Sequence, residues 1–219
     1  MEIRKFGPLS GPFFGPARGG QASSLVLILH GWGADGNDLA DLARPMAVRF
    51  PGAAFFVPNG PDPCKINPMG REWFDIDDRI GGPGEAAPVV DAAVDAALEA
   101  LGLAPTALVL CGFSQGGMMS LHCGLRRVHA PAAIVSFSGA LLLHEDLAPA
   151  GPDQIYAPVQ LVHGTEDAVV PFALQSQSGQ QLTALGIEVD YHVCNGLGHG
   201  IDPDGLSAAI QFLASYVPA

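Results

Sequence analysis

Short, nearly all-apolar runs punctuate this chain at intervals. Leu25 to Leu29 is one, and Ala53 to Val57, Ala107 to Cys111, Ala132 to Phe137 and Val159 to His163 are others. Runs this short and this apolar predict strands buried on both faces of a sheet. Ile187 to Val193 alternates between apolar and polar positions, which predicts a strand nearer the sheet edge. Between these runs the period lengthens to that of a helix: 38–50, with Asn37 or Asp38 as its cap, then 85–101, 114–127, 172–185 and 204–216. Gly102 and Gly186 stand where helix C-caps belong. Strand and helix alternate with no internal repeat and no low-complexity linker. The pattern therefore predicts an α/β fold, a mostly parallel sheet with helices on both faces, as a single domain over 1–219. In such sheets chemistry collects just after the carboxyl ends of the strands. The polar, proline-rich connection 61–84 exceeds an ordinary turn, and long ordered loops are frequently functional.

Composition narrows the classes. Apolar residues make up 48% of the chain and charged residues 15%, which excludes global disorder. Ten Lys and Arg stand against 22 Asp and Glu, a formal charge of −12, so no nucleic acid is expected as a partner. No apolar stretch is long enough to span a bilayer, so no stable membrane insertion is expected. Met1 to Pro8 carries charges with no apolar signal core behind them, and the expected location is the cytoplasm. Cys64, Cys111, Cys123 and Cys194 form no C-x-x-C pair and no zinc-ligand spacing; they are expected to be buried, inert thiols.

After the third predicted strand comes Gly112-Phe113-Ser114-Gln115-Gly116-Gly117, a G-x-S-x-G sequence between a strand and a helix. A serine at the tip of so tight a turn has its hydroxyl exposed, and side chains two residues away on either side would collide; Gly112 and Gly116 have none. A serine alcohol is a weak nucleophile at neutral pH and requires a base. Of the seven histidines, His122 lies within the following helix and cannot easily fold back. His129 and His144 sit in polar, turn-like contexts, and His192 lies in a strand. His30 and His163 end strands and are suited to orienting loop backbone. His199, in the glycine-rich Asn195-Gly196-Leu197-Gly198-His199-Gly200 loop before the last helix, can hang over the strand ends and reach Ser114. An imidazole base needs a carboxylate to fix its tautomer. Asp167, in His163-Gly164-Thr165-Glu166-Asp167, is chosen, with Glu166 as competitor; adjacent loop carboxylates point apart, so only one serves. The oxyanion of an acyl transfer needs two N–H donors. The backbone of Gln115, after the nucleophile, and of Trp32, in the loop 30–36, are the candidates. That loop lacks both G-x-G-x-x-G and a P-loop lysine, so nucleotide binding is not expected.

The 30–36 loop, the Gly-Phe-Ser-Gln-Gly-Gly turn, His163 to Asp167 and Gly198-His199-Gly200 together resemble the carboxylesterase/phospholipase family of α/β-hydrolases, which includes small bacterial carboxylesterases and acyl-protein thioesterases. The likeness runs from about Leu25 to Tyr216. It implies the α/β-hydrolase fold, a Ser114, Asp167, His199 triad, and Trp32 and Gln115 as oxyanion donors. It also implies carboxylic ester or thioester hydrolysis without metal or organic cofactor, and homodimers are frequent among such relatives. Gly70 to Asp75 resembles the family's Trp-Phe-Asp stretch near the substrate groove, which nominates Trp73 and Phe74 as substrate-binding residues. Trp32 departs from the commoner leucine, and its larger ring is expected to narrow or reshape the acyl site. Absence of a basic cluster near the motifs suggests an uncharged acyl group of short to medium length. A non-catalytic binding protein on this fold would have lost one of the three residues, and none is lost; an amide or lactone hydrolase would look the same in sequence.

Overall fold

A computed structural model describes residues 1–152 and 154–218. The chain opens with β1 (Glu2–Phe6), β2 (Leu9–Phe14) and β3 (Ser24–Leu29), followed by α1 (Gly36–Ala40), α2 (Ala43–Arg49) and β4 (Ala53–Phe56). Next come a two-residue hairpin, β5 (Asp62–Pro63) and β6 (Arg71–Glu72), the long α3 (Gly82–Leu101) and β7 (Leu108–Phe113). The second half comprises α4 (Gln115–Gly124), β8 (Ala133–Phe137), β9 (Val159–Gly164), α5 (Ala173–Ala184), β10 (Val189–Cys194) and α6 (Pro203–Leu213).

One sheet of eight strands, in the order β1-β2-β4-β3-β7-β8-β9-β10, runs through the molecule. From β4 to β10 all neighbours are parallel; β1, β2 and β4 pair antiparallel. Alternate side chains of each central strand serve opposite faces. Leu25, Leu27 and Leu29 of β3 join Leu108 and Leu110 of β7 beneath α3 and α4. Val26 and Ile28 join Val109 and Cys111 beneath α2 and α6. A third cluster packs α5 against β9 through Leu161 and Leu182. These layers hold the C-terminal ends of β3, β7 and β9 side by side, and the loops leaving those ends carry the chemistry.

The structure corrects the sequence reading in three places. It adds β1 and β2, which the apolar pattern did not reveal. β1 is exposed at all but Phe6, and β2 contains Gly11 and Pro12, residues ordinarily read as turn. Residues 38–50 form two helices rather than one. Pro45 lacks an N–H and its ring would clash with the carbonyl four residues back, so the chain stops at Ala40 and restarts at Ala43, where proline falls in the tolerated first turn. The cap is Asp35, not Asn37 or Asp38: its Oδ1 accepts from the Asn37 N–H at 2.8 Å. Elsewhere boundaries shift by a few residues. Gly102 (φ 65°) caps α3 in the left-handed conformation, as expected, and β10 lies at the sheet edge. No helix among the described residues is long and apolar enough to cross a membrane.

Candidate active site

Ser114 joins β7 to α4 with φ 55° and ψ −119°. A side chain tolerates positive φ poorly, and the surroundings impose it. The Ser114 N–H donates to the Phe137 carbonyl at 2.8 Å, while Met118 N–H donates to the Ser114 carbonyl at 3.0 Å and starts the helix. The turn is as tight as the glycines suggest. A Cβ on Gly112 would fall 2.2 Å from the Gly116 carbonyl oxygen, and one on Gly116 would fall 2.0 Å from that of Leu29.

The structure brings Ser114, His199 and Asp167 into one hydrogen-bonded line from three separate loops. Ser114 Oγ lies 2.9 Å from His199 Nε2, and His199 Nδ1 lies 2.7 Å from Asp167 Oδ2. An N–H at Nδ1 donating to the carboxylate leaves Nε2 free to accept the serine hydroxyl. The other carboxylate oxygen, Oδ1, accepts the Val169 and Val170 N–H groups at 2.9 and 2.8 Å. Burial works to raise the Asp167 pKa, but the bonds from His199, Val170 and Val169 outweigh it and hold it below the ordinary aspartate value. Asp167 is therefore a fixed anion behind the imidazole. Its neighbour Glu166 points outward and is exposed. The Phe113 ring packs on the His199 ring, with centroids 4.7 Å apart.

The other histidines fall where their contexts placed them. His30 is buried, its Nδ1–H donating to the Gly31 carbonyl at 2.8 Å while Nε2 accepts the Gly60 N–H at 2.8 Å. Burial depresses its pKa, so it stays neutral. Gly31 C=O and Trp32 N–H belong to one peptide plane and point in opposite directions, so the ring that anchors the carbonyl also aims the N–H. That N–H has no acceptor among the described residues. A Cβ on Gly31 would stand 3.5 Å from the Ser114 Cβ, so the loop lies against the nucleophile. The Gln115 N–H, first in α4, has no intrahelical partner. His163 orients backbone too, its Nε2–H donating to the Val170 carbonyl at 2.8 Å, 3.3 Å from Asp167 Oδ2. His122 is buried in α4, and His192 pairs with Asp204.

A cavity of about 420 Å³ opens over Ser114 and His199. Its walls are mainly apolar, with Met118, Leu142, Val170 and Leu174 on the side of α4 and α5; Trp32 and Ile76 come from the loops after β3 and β6. Asp38 and Arg79 add one charge of each sign. Trp73 and Phe74 do not line it. Trp73 is 1% exposed, with its indole N–H donating to the His30 carbonyl at 2.8 Å, and Phe74 is 4% exposed against Gly82. Both rings join the main core layer beneath α3 and α4, and the loop presents Ile76 and Arg79 to the cavity instead. Those two, with Leu142 and Leu174, are wall residues that sequence reasoning missed. Ala168-Val169-Val170-Pro171, directly after Asp167, carried the one local signal, an apolar run beside a candidate carboxylate. The four cysteines are buried free thiols. Burial pushes Cys111 up to about 12 and Cys194 to about 11, so neither is a thiolate at neutral pH.

Residues 17–217 match the model of the Phospholipase/Carboxylesterase family. Acyl-protein thioesterase 1 of Gibberella zeae is 29% identical over 224 residues, which span 90% of this chain and 92% of that protein. Esterase YpfH of Escherichia coli is 26% identical over 204 residues, 90% of this chain and 84% of its own. Among solved structures, esterase PE8 superposes with a TM-score of 0.88 at 39% identity, covering 95% of this chain and 99% of that one.

Proposed function

This chain belongs to the Phospholipase/Carboxylesterase family of α/β-hydrolases, and from that premise we propose that it hydrolyses carboxylic esters and thioesters of short to medium acyl groups through Ser114, His199 and Asp167. The observation that carries the proposal is the line from Ser114 Oγ through His199 to Asp167, opening into the mainly apolar cavity. His199 Nε2 takes the hydroxyl proton as Ser114 Oγ attacks the acyl carbon. The carbonyl oxygen gains the negative charge and is held by the Trp32 and Gln115 N–H groups. As the tetrahedral intermediate collapses, His199 returns the proton to the leaving alkoxide or thiolate, and the acyl group stays on Ser114. Water, deprotonated by His199, then attacks the acyl carbon; the bond to Ser114 Oγ breaks, His199 returns the proton to that oxygen, and the acid leaves. Asp167 stays ionised throughout and stabilises each imidazolium.

The wall's composition supports an uncharged acyl group, since Asp38 and Arg79 oppose each other and no basic cluster lines the cavity. The formal charge of −12 argues against nucleic acid, and four free thiols suit a reducing cytoplasm. Ile66, Met69 and Ile80, exposed on the 61–84 loop, and Val169 beside Asp167 are apolar surface that a homodimer would cover.

Hydrolysis of p-nitrophenyl esters from acetate to palmitate, wild type beside Ser114→Ala, tests the reading. Turnover in the wild type that disappears in the variant is expected, with its maximum in the short to medium range. Activity surviving in Ser114→Ala refutes the nucleophile, and a wild type inert toward every ester refutes the substrate class.

A further inference from the structure

Glu72 is the most conspicuous buried charge that the reaction above leaves unused. It is 5% exposed, and none of the ion pairs among the described residues includes it. Its carboxylate is held by neutral donors. Trp32 Nε1–H donates to Oε2 at 2.6 Å, and the Lys65 N–H approaches the same oxygen at 3.5 Å. No cation bonds this carboxylate directly, the Lys65 ammonium acting on it only through space, and an apolar side chain would fill the same space at lower desolvation cost. What the carboxylate contributes in return is a short, charge-assisted bond to one indole.

That indole stands at the cavity wall, beside Ser114 and His199. Its backbone is fixed without any help from the Glu72 side chain. Gly33 N–H donates to the Arg71 carbonyl at 2.9 Å, Arg71 N–H to the Ala34 carbonyl at 2.7 Å, and Asn67 Nδ2 to the Gly33 carbonyl at 2.9 Å. The Glu72 main chain is equally pinned: it pairs with Asp62, and a Cβ on Gly60 would meet its carbonyl oxygen at 2.6 Å. With both backbones anchored, the remaining freedom is the rotation of the Trp32 ring about its own side-chain bonds. Its sequence neighbours, Gly31 and Gly33, offer no side chain to hold the partly buried ring. The bond to Glu72 fixes the polar edge of the indole in one orientation.

We propose that Glu72 is a positioning residue that locks the Trp32 ring as a fixed wall of the acyl cavity, and so sets the longest acyl group this enzyme accepts. The inference rests on the ester-hydrolase reading above. Release of the ring opens the wall to longer chains while the Trp32 N–H keeps its place. In an apolar pocket one methylene is worth roughly 10–200-fold in discrimination, so even a partial swing of an indole is readily measured.

The test compares wild type, Glu72→Gln and Glu72→Leu by the ratio of kcat/KM on p-nitrophenyl dodecanoate to that on the butyrate, together with acrylamide quenching of tryptophan fluorescence. Trp73 is 1% exposed, so quenching reports mainly on Trp32. Glu72→Leu is expected to raise the ratio about tenfold, on the scale of one methylene, and to increase quenching. Glu72→Gln keeps an acceptor for the indole and is expected to stay within about twofold of wild type. An unchanged ratio in Glu72→Leu overturns the proposal, whatever quenching does. So does a Glu72→Gln that behaves like Glu72→Leu, or a shift that follows the alcohol length of butyrate esters instead of the acyl length. If Glu72→Leu does not fold, Trp32→Phe, which deletes the donor and keeps a ring, must raise the same ratio. A wild type inactive on all esters is a failure of the underlying function, and is distinguished because quenching reads the indole without turnover.

Discussion

The Gln115 side chain ties the nucleophile turn to the 61–84 loop. Its Nε2 donates to the Phe74 carbonyl at 2.7 Å, and its Oε1 accepts the Trp73 N–H at 3.0 Å. Gln115 is fully buried, Trp73 and Phe74 nearly so, and water cannot take over either bond without opening the loop. Gln115→Met removes both bonds at nearly constant length and volume, so the cavity contribution is small. What remains is the desolvation of one N–H and one C=O left without partners, about 1–3 kcal/mol each before relaxation. We expect a loss of about 2–4 kcal/mol in unfolding free energy, which for a chain of this size lowers Tm by about 4–16 °C. Urea melts read by circular dichroism and calorimetric Tm measure it, with the exposed Gln177→Met as a control expected to stay within about 0.5 kcal/mol. A loss in Gln115→Met below about 1 kcal/mol would refute the reasoning, since it would mean that the loop finds other partners for Trp73 and Phe74.

The remaining expectations concern charge. Asp167→Asn should lower kcat by about 10⁴, because the imidazole loses the anion that fixes its tautomer, whereas the exposed Glu166→Gln should leave it within about twofold; equal losses would show the wrong carboxylate was chosen. Burial, with help from the Arg126 charge, pushes His122 down to about 4. The unfolded chain, with its histidine near the ordinary 6.5, therefore binds more protons between these values, and stability should be full above pH 6.5 and fall as pH drops toward 4. Urea midpoints across pH 4–7 should show that slope reduced in His122→Gln; an identical slope in both proteins would refute the assignment.

The central strands were legible because burial on both faces leaves few polar positions, Ser136, Gln160 and His163 among them, to interrupt the apolar runs. The nucleophile turn was legible because its backbone contacts exclude any side chain at Gly112 and Gly116, so the constraint is written as glycine. β1 was not legible, since an exposed edge strand has no apolar face to display, and β2 was not because Gly11 and Pro12 interrupt its apolar positions. Nor were Ile76, Leu142 and Leu174: each is an ordinary apolar residue in its own segment, and only tertiary packing gathers them around Ser114. Trp73 and Phe74 misled for a related reason. Aromatic rings in a long loop serve a ligand or the domain core equally well in sequence, and here they serve the core. Glu72 gave no signal at all, because its partner lies 40 positions away.

Ser114 at φ 55° has a wider consequence. A non-glycine residue held in such a conformation costs of order 1–3 kcal/mol, a sizeable part of the margin by which proteins stay folded. Glycine would occupy the position more comfortably, so selection for thermal robustness and selection for turnover pull this one codon in opposite directions. A laboratory search that scores only solubility or heat resistance would drift toward inactive sequences here, and any stabilised descendant worth keeping must find its gains elsewhere in the chain.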